Sequence, residues 1–260
     1  MISMNNINRR RYVLSFRLFT YFCIFLFLII FSFLIYFNKN YIILISKNII
    51  QSFSENFQYQ LTTFDISGLD KIETKFIEDK IQKYIESSIF LLPLDQINNS
   101  IKENNWVKEI YLSTNYKDTL FIQIEEYEPI GIYYFNNKYF FFDKNGKIID
   151  QTFVTDFANQ SLIVFKGNSS NLNANSIINI LKNNDFETNY KIESLEFINK
   201  RRWDINLYSN VKLLLSEEDP NKSIQNFILI QNKLSETDIN NIKAYDLRNL
   251  KKTILISAND

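Results

Sequence analysis

The chain contains no histidine. That absence removes His-activated nucleophiles and the usual zinc and haem ligand sets. Its one cysteine, Cys23, excludes an intramolecular disulfide, a CxxC redox pair and a Cys-ligated iron–sulfur cluster. The four glycines, Gly68, Gly131, Gly146 and Gly167, are isolated from one another, so neither a P-loop nor a GxGxxG fingerprint can be written. No cofactor and no metal are expected on these grounds. A basic footprint is missing too. Lys plus Arg and Asp plus Glu each number 29, for a net charge of zero, which speaks against a nucleic-acid partner.

What the chain has instead is apolar and aromatic residues: 24 Phe and 15 Tyr in 260 residues. From Leu18 to Phe37 the sequence LFTYFCIFLFLIIFSFLIYF carries no charge. As a helix this stretch would span roughly 30 Å, the thickness of a bilayer's hydrocarbon core. A cleaved secretory signal would need small residues at its end, where the bulky Ile35, Tyr36 and Phe37 stand. An uncleaved transmembrane helix over 18–37 is therefore expected. Arg9, Arg10, Arg11 and Arg17 precede it without an acid, whereas only Lys39 and Lys47 follow closely. This imbalance puts the arm 1–17 in the cytoplasm and everything after residue 37 outside it. The remainder carries 25 basic and 29 acidic residues, net −4.

Residues 38–56 read as a mixed connector, in which YIILIS either extends the helix or lies at the membrane interface. Phe57–Ser67 suits a strand closed by Gly68. Ile77, Ile81, Tyr84 and Ile85 share one helical face. Leu94, Ile97 and Ile101 do likewise behind Pro93. Two extended runs follow, Val107–Thr114 and Leu120–Glu126; in the second, Leu120, Ile122 and Ile124 alternate with Phe121, Gln123 and Glu125. The order β-α-α-β-β would place two helices on one face of a short sheet.

Beyond Pro129 the pattern turns strand-rich. Ile132–Phe135, Lys138–Asp143 and Lys147–Ile149 are separated by the turn dipeptides Asn136–Asn137 and Asn145–Gly146. Helices are expected at 174–183 and at 220–234, the second with Asp219 as N-cap and Pro220 in its first turn. Trp203–Leu207 and Val211–Leu215 form a hairpin, and Lys252–Ser257 is a final strand. The fold class is α+β, divided into a compact unit at 57–128, a β domain at 129–257 and a tail at 258–260.

A series of residues in order now resembles a known family. Gly68, Leu94-Asp95, Ile97, Ile101, Trp106-Val107, Asp118-Thr119-Leu120 and Glu126-Tyr127-Glu128-Pro129-Ile130-Gly131 resemble the FtsQ/DivIB bacterial cell-division proteins. So do Arg202-Trp203-Asp204-Ile205-Asn206-Leu207 and Tyr245-Asp246-Leu247-Arg248. The resemblance implies a POTRA domain followed by a β domain, with no catalysis. It implies a divisome scaffold at the septum of the inner membrane, with its C-terminal domains periplasmic. The implied partners are FtsB- and FtsL-like bitopic coiled-coil proteins, and the implied outcome is control of septal peptidoglycan synthesis. The chain departs from the family at Ser113, Lys117 and Asn210, where Arg, Pro and Gly are frequent.

The last strand has no later strand to cover it, and an uncovered edge can template a strand from another chain. The resemblance adds an arginine ahead of the RRW-like strand. The expected partner site is therefore Arg201, Arg202, Arg248, Asn249, Leu250, Lys251, Lys252, Thr253 and Leu255. Structural readings stand beside this one. Trp106 suits a core plug, Asp246 a turn bond, Arg248 a surface ion pair, and Lys251 and Lys252 charges guarding an edge. A different class, a membrane-anchored wall-modifying enzyme, would use carboxylates such as Glu125–Glu126 or Glu217–Glu218–Asp219. Neighbouring residues on a strand point to opposite faces, which counts against the first pair.

Overall fold

In a computed structural model the described residues are 5–157 and 162–257, with side chains described from Phe19 onward except at 156, 157 and 236. The tail at 258–260 and the side chains of the four N-terminal arginines lie outside them. Two compact units form. One holds residues up to 66 together with 75–98 and 111–122, and the other holds 67–74, 99–110 and 123 onward.

The first helix, α1 (Asn5–Phe37), contains the apolar stretch Phe19–Phe37, long and apolar enough to cross a membrane and not buried by protein. The expected connector is itself a helix, α2 (Lys39–Phe57). Only Asn38 separates the two, and the hydrogen-bond ladder runs through it: its N–H donates to Leu34 O and its carbonyl accepts from Ile42 N. YIILIS thus extends the helix. At its far end α2 is fastened down. Ser54 is buried and shares a 2.6 Å hydrogen bond with buried Ser88, and the Gln51 amide accepts from Ser88 N.

Strand β1 (Thr63–Ser67) starts later than its apolar pattern suggests. Helices α3 (Thr74–Ile81) and α4 (Leu94–Ile101) follow, separated by two 3-10 turns, Gln82–Tyr84 and Ile89–Leu91. Next come β2 (Val107–Thr114) and β3 (Thr119–Glu126), giving the β-α-α-β-β order and a three-stranded sheet β1-β3-β2. Ile77, Ile81, Ile97 and Ile101 are buried as the helical spacing requires. Along β3, Leu120, Ile122 and Ile124 are buried while Phe121, Gln123 and Glu125 face water.

The second unit adds β4 (Gly131–Phe135), β5 (Lys138–Phe142), β6 (Ile148–Thr152), a short α5 (Val154–Phe157) and β7 (Val164–Lys166). Then come α6 (Ser170–Asn183), α7 (Phe186–Asn189), β8 (Ile192–Ile198), β9 (Arg202–Leu207) and β10 (Lys212–Leu214). It closes with α8 (Pro220–Gln231), α9 (Glu236–Asn240), β11 (Ile242–Asp246) and β12 (Ile254–Ser257). All nine strands join one mixed sheet in the order β12-β11-β10-β9-β8-β7-β4-β5-β6. Its pairs are antiparallel except β4–β7, β7–β8 and β10–β11.

One face of this sheet is covered. Ile177, Ile178 and Leu181 from α6 and Ile224 and Phe227 from α8 form a core with Phe165, Leu195, Trp203, Ile205, Leu213 and Tyr245. Edge-to-face ring pairs run through it, Phe165 on Trp203 and Phe227 on Tyr245, an arrangement that adds to plain area burial. Trp106, half-buried, packs at 5.3 Å on Phe141 against a smaller cluster of Ile132, Phe141 and Ile149, so its role is packing, though not as a fully buried plug.

Candidate partner-binding edge

Strand β12 is the last strand at one side of the nine-stranded sheet. Its pairing with β11 is antiparallel, with Tyr245 opposite Leu255 and Asp246 opposite Ile254, and a bulge interrupts it between Ile242 and Ala244. Among the described residues no strand pairs with its other side. Pairing uses only one edge of a strand, so alternate N–H and C=O groups of β12 point away from the sheet. Its side chains are unusual for such an edge: Ile254, Leu255 and Ile256 are 51%, 40% and 40% exposed. Consecutive residues alternate faces, so apolar surface is presented to water on both sides of this strand.

The strand is shorter than the sequence suggests. Lys252 and Thr253 precede it, and Asn249 is the reason: its side-chain oxygen accepts from Lys251 N at 2.9 Å and its carbonyl accepts from Lys252 N. The Leu250 carbonyl is taken by the Asn226 side chain of α8. Residues 248–253 thus form a turn, and Arg248, Asn249, Leu250, Lys251, Lys252 and Thr253 lie ahead of the edge, not on it. Of the expected residues, Leu255 alone is within β12.

Register carries the argument across the sheet. Glu196, Asp204, Leu214, Asp246 and Ile254 stand opposite one another on β8, β9, β10, β11 and β12. They share the face away from the core. Arg202 and Lys212 are each two residues from members of that row and so join the face. Asp204 is 2% exposed, contacted by Arg202 Nε and Lys212 Nζ, each at 3.3 Å. Lys212 also reaches Glu196 at 3.1 Å. Burial pulls the Lys212 pKa down, but the Glu196 bond and the charges of Asp204 and Glu196 outweigh it and leave it raised.

At the β11 end, Arg248 grips Asp246 with two nitrogens. This hold keeps the Asp246 carboxyl below the usual 3.8, with the Arg202 charge contributing as well. Arg202 and the edge strand are three strand spacings apart, about 14 Å. Arg201 is different. It lies in the turn before β9, with Glu217 at 3.7 Å. The fold therefore gathers Arg202, Arg248 and one side of the exposed strand on one face and directs Arg201 to another carboxylate.

Sequence reasoning overlooked Asp204, Lys212, Ile254 and Ile256. Alternation in RWDINL already separates Arg202, Asp204 and Asn206 from Trp203, Ile205 and Leu207. The partner strands that complete the row were the missing information. The acidic runs are engaged elsewhere. Glu125 pairs with Lys108, and Glu126 accepts from the N–H groups of Asp70, Lys71 and Ile72 at 2.7–3.0 Å. Asp219 caps α8 by accepting from Lys222 N at 2.8 Å.

An apolar N-terminal helix, a β-α-α-β-β unit and a β-rich unit ending on an open strand define a POTRA-containing protein with, among the described residues, one candidate membrane anchor. Comparison with known proteins agrees. The profile "POTRA domain, FtsQ-type" matches residues 60–127, and "Cell division protein FtsQ/DivIB, C-terminal" matches 132–248. The cell division protein FtsQ of Rickettsia typhi is 30% identical over 194 residues, 75% of this chain and 71% of that one. FtsQ of Rickettsia bellii is 30% identical over 208 residues, covering 80% and 76%. FtsQ of Zymomonas mobilis is more distant, 25% identical over 153 residues, 59% of this chain and 48% of the relative. The chain belongs to the FtsQ/DivIB family of cell division proteins.

Proposed function

We propose that the protein is a non-enzymatic divisome scaffold. It is anchored in the inner membrane with its N-terminus cytoplasmic and its two outer domains periplasmic. It captures FtsB/FtsL-type bitopic coiled-coil proteins at the septum and so helps control septal peptidoglycan synthesis. The observation that carries this reading is the free edge of β12 with its three exposed aliphatic side chains. A partner strand added there would gain backbone hydrogen bonds and cover Ile254, Leu255 and Ile256. Arg202 or Arg248 would then fix register by pairing with a partner carboxylate.

Proline at the edge tests the reading. Donors of consecutive residues point to opposite sides of a strand, so one of Leu255 and Ile256 offers its N–H outward. Proline removes that donor. The expected outcome is that Leu255→Pro or Ile256→Pro abolishes capture of the purified FtsB-type protein while the circular dichroism of the exterior is unchanged. Normal capture by both folded variants would end the edge-strand reading. Arg248→Ala is the charge variant that leaves the buried Asp204 paired, releasing only the more exposed Asp246.

The second reading, a membrane-anchored wall-modifying enzyme, calls on Glu125–Glu126 or Glu217–Glu218–Asp219. Glu125 and Glu126 hold a lysine and a backbone turn, and Asp219 holds a helix start. Incubating the purified exterior with peptidoglycan and finding released fragments would revive it.

A further inference from the structure

We propose that Asn226, on α8, is a positioning residue for the open edge: its side chain holds the turn before β12 and so keeps that strand set for strand addition. This role rests on the edge-strand reading above and adds to it a residue that does not lie on the edge. β12 holds little for itself. The strand is four residues long, and among the described residues it pairs on one side only. Ile254, Leu255 and Ile256 are all exposed, so side-chain burial does little to fix it. A bulge interrupts its pairing with β11. An element with so few buried contacts opens at low cost unless something else restrains it.

The restraint lies in the residues just ahead. Leu247 is buried; its N–H donates to Leu214 O on β10, and its carbonyl accepts from Ser223 Oγ of α8 at 3.1 Å. Ser223 is fully buried, and its Oγ also accepts from Ser216 N. Three residues on, beside Ser223 on the same helix face, Asn226 donates from Nδ2 to Leu250 O at 3.2 Å. Beyond Leu247 the turn is closed by its own bonds: Asp246 accepts from Arg248 N, and Asn249 accepts from Lys251 N and Lys252 N. Among the described residues, the Asn226 bond is the last that ties the chain to another element before β12 begins. Asn226 is itself half-buried, whereas Ile224 and Phe227 carry the packing of α8. Losing its amide therefore releases the turn and spares the core. A strand that is in place only part of the time binds with an affinity reduced by that fraction, and ordering it during binding costs entropy.

Amide hydrogen exchange of the full chain in lipid nanodiscs, followed by capture of the purified FtsB-type protein, tests this. Asn226→Ala removes the side chain, and Asn226→Asp keeps its shape but loses the donor. Ile178→Val, which trims the same core from α6, is the comparison for general loss of packing. Both Asn226 variants should exchange about tenfold faster over 250–257, and their Kd for the FtsB-type protein should rise about tenfold. Ile178→Val should lower the thermal midpoint and leave that Kd unchanged well below it. Wild-type exchange over 250–257 in either Asn226 variant, an unchanged Kd despite faster exchange, or an equal rise in Kd with Ile178→Val would overturn the proposal. If the wild-type chain captures no FtsB-type protein, the edge-strand reading falls and takes this role with it. Unchanged exchange in a chain that does capture it defeats the role of Asn226 alone.

Discussion

Arg248 turns back on Asp246, two residues earlier, and holds both of its carboxylate oxygens, Nε to Oδ1 at 2.8 Å and Nη2 to Oδ2 at 2.6 Å. The Arg248 backbone N–H adds a third bond to Oδ1. A surface arginine is thus stationed at the end of β11, beside the turn that leads into the edge strand.

That fork has a pH signature. The bonds from Arg248 depress the Asp246 pKa. A group depressed on folding stabilises the fold above its unfolded pKa, and this contribution is lost as pH falls through the folded value. Stability from the fork should be complete at neutral pH and be lost progressively as pH falls below about 4. Arg248→Ala should flatten the acid limb of the melting temperature between about pH 5 and 2. An unchanged limb in that variant would remove the fork as a stabilising pair.

The buried helix faces predict a contrast. Ile81 and Ile101 are fully buried, and truncating either to Ala should cost about 2–5 kcal/mol. Glu78 and Lys102 are exposed, and alanine there should change stability by less than about 0.5 kcal/mol. Urea melts of the four variants check the phase of both helices, and an Ile81→Ala midpoint equal to wild type would contradict it.

Gly68 has φ +83°, and a Cβ there would sit 2.0 Å from Ile124 O. Both the backbone strain and the clash with a rigid strand carbonyl penalise a side chain. Gly68→Ala should destabilise by at least about 1–3 kcal/mol, read as a lower unfolding midpoint, whereas a midpoint within error of wild type would mean that β3 moves freely aside.

The membrane orientation proposed above makes its own forecast. A periplasm-dependent reporter fused after Asp260 should be active, and a cytoplasm-dependent one silent, from the arginine excess before the span. The reverse pattern would invert the topology.

Much of this fold was readable because local signals agreed. Asp219 and Pro220 announce α8, and the Asp219 side chain does cap it. Asn136 and Asn137 both adopt positive φ, 50° and 59°, as a two-residue hairpin turn demands. The family departures are also intelligible locally. Asn210 stands where glycine is frequent and takes φ 61°, a conformation asparagine tolerates. With lysine in place of proline at 117, Asn115 shapes the turn by accepting from the N–H groups of Lys117, Asp118 and Thr119.

Other elements left no such trace. β7 is three residues long and pairs in parallel on both sides, so neither alternation nor a hairpin turn marks it. β11 finds its parallel partner β10 through a helical crossover, and YD reads locally as the start of a turn. The short helices α5, α7 and α9 are below the length at which a 3.6-residue period can be seen. The charged row from Glu196 to Asp246 depends on that register and was hidden for the same reason.

The crossover between β10 and β11 has a kinetic side. β12 pairs with β11 across a short local connection, and the two join the rest of the sheet only when the chain through α8 and α9 closes on β10. Closing such non-local pairs costs loop entropy before any contact rewards it, which makes them slow steps. The open edge is consequently expected to be completed late in folding. A copy in which β11 has not docked on β10 would offer that strand off its sheet, and recruitment through the docked edge would double as a check that the sheet is complete.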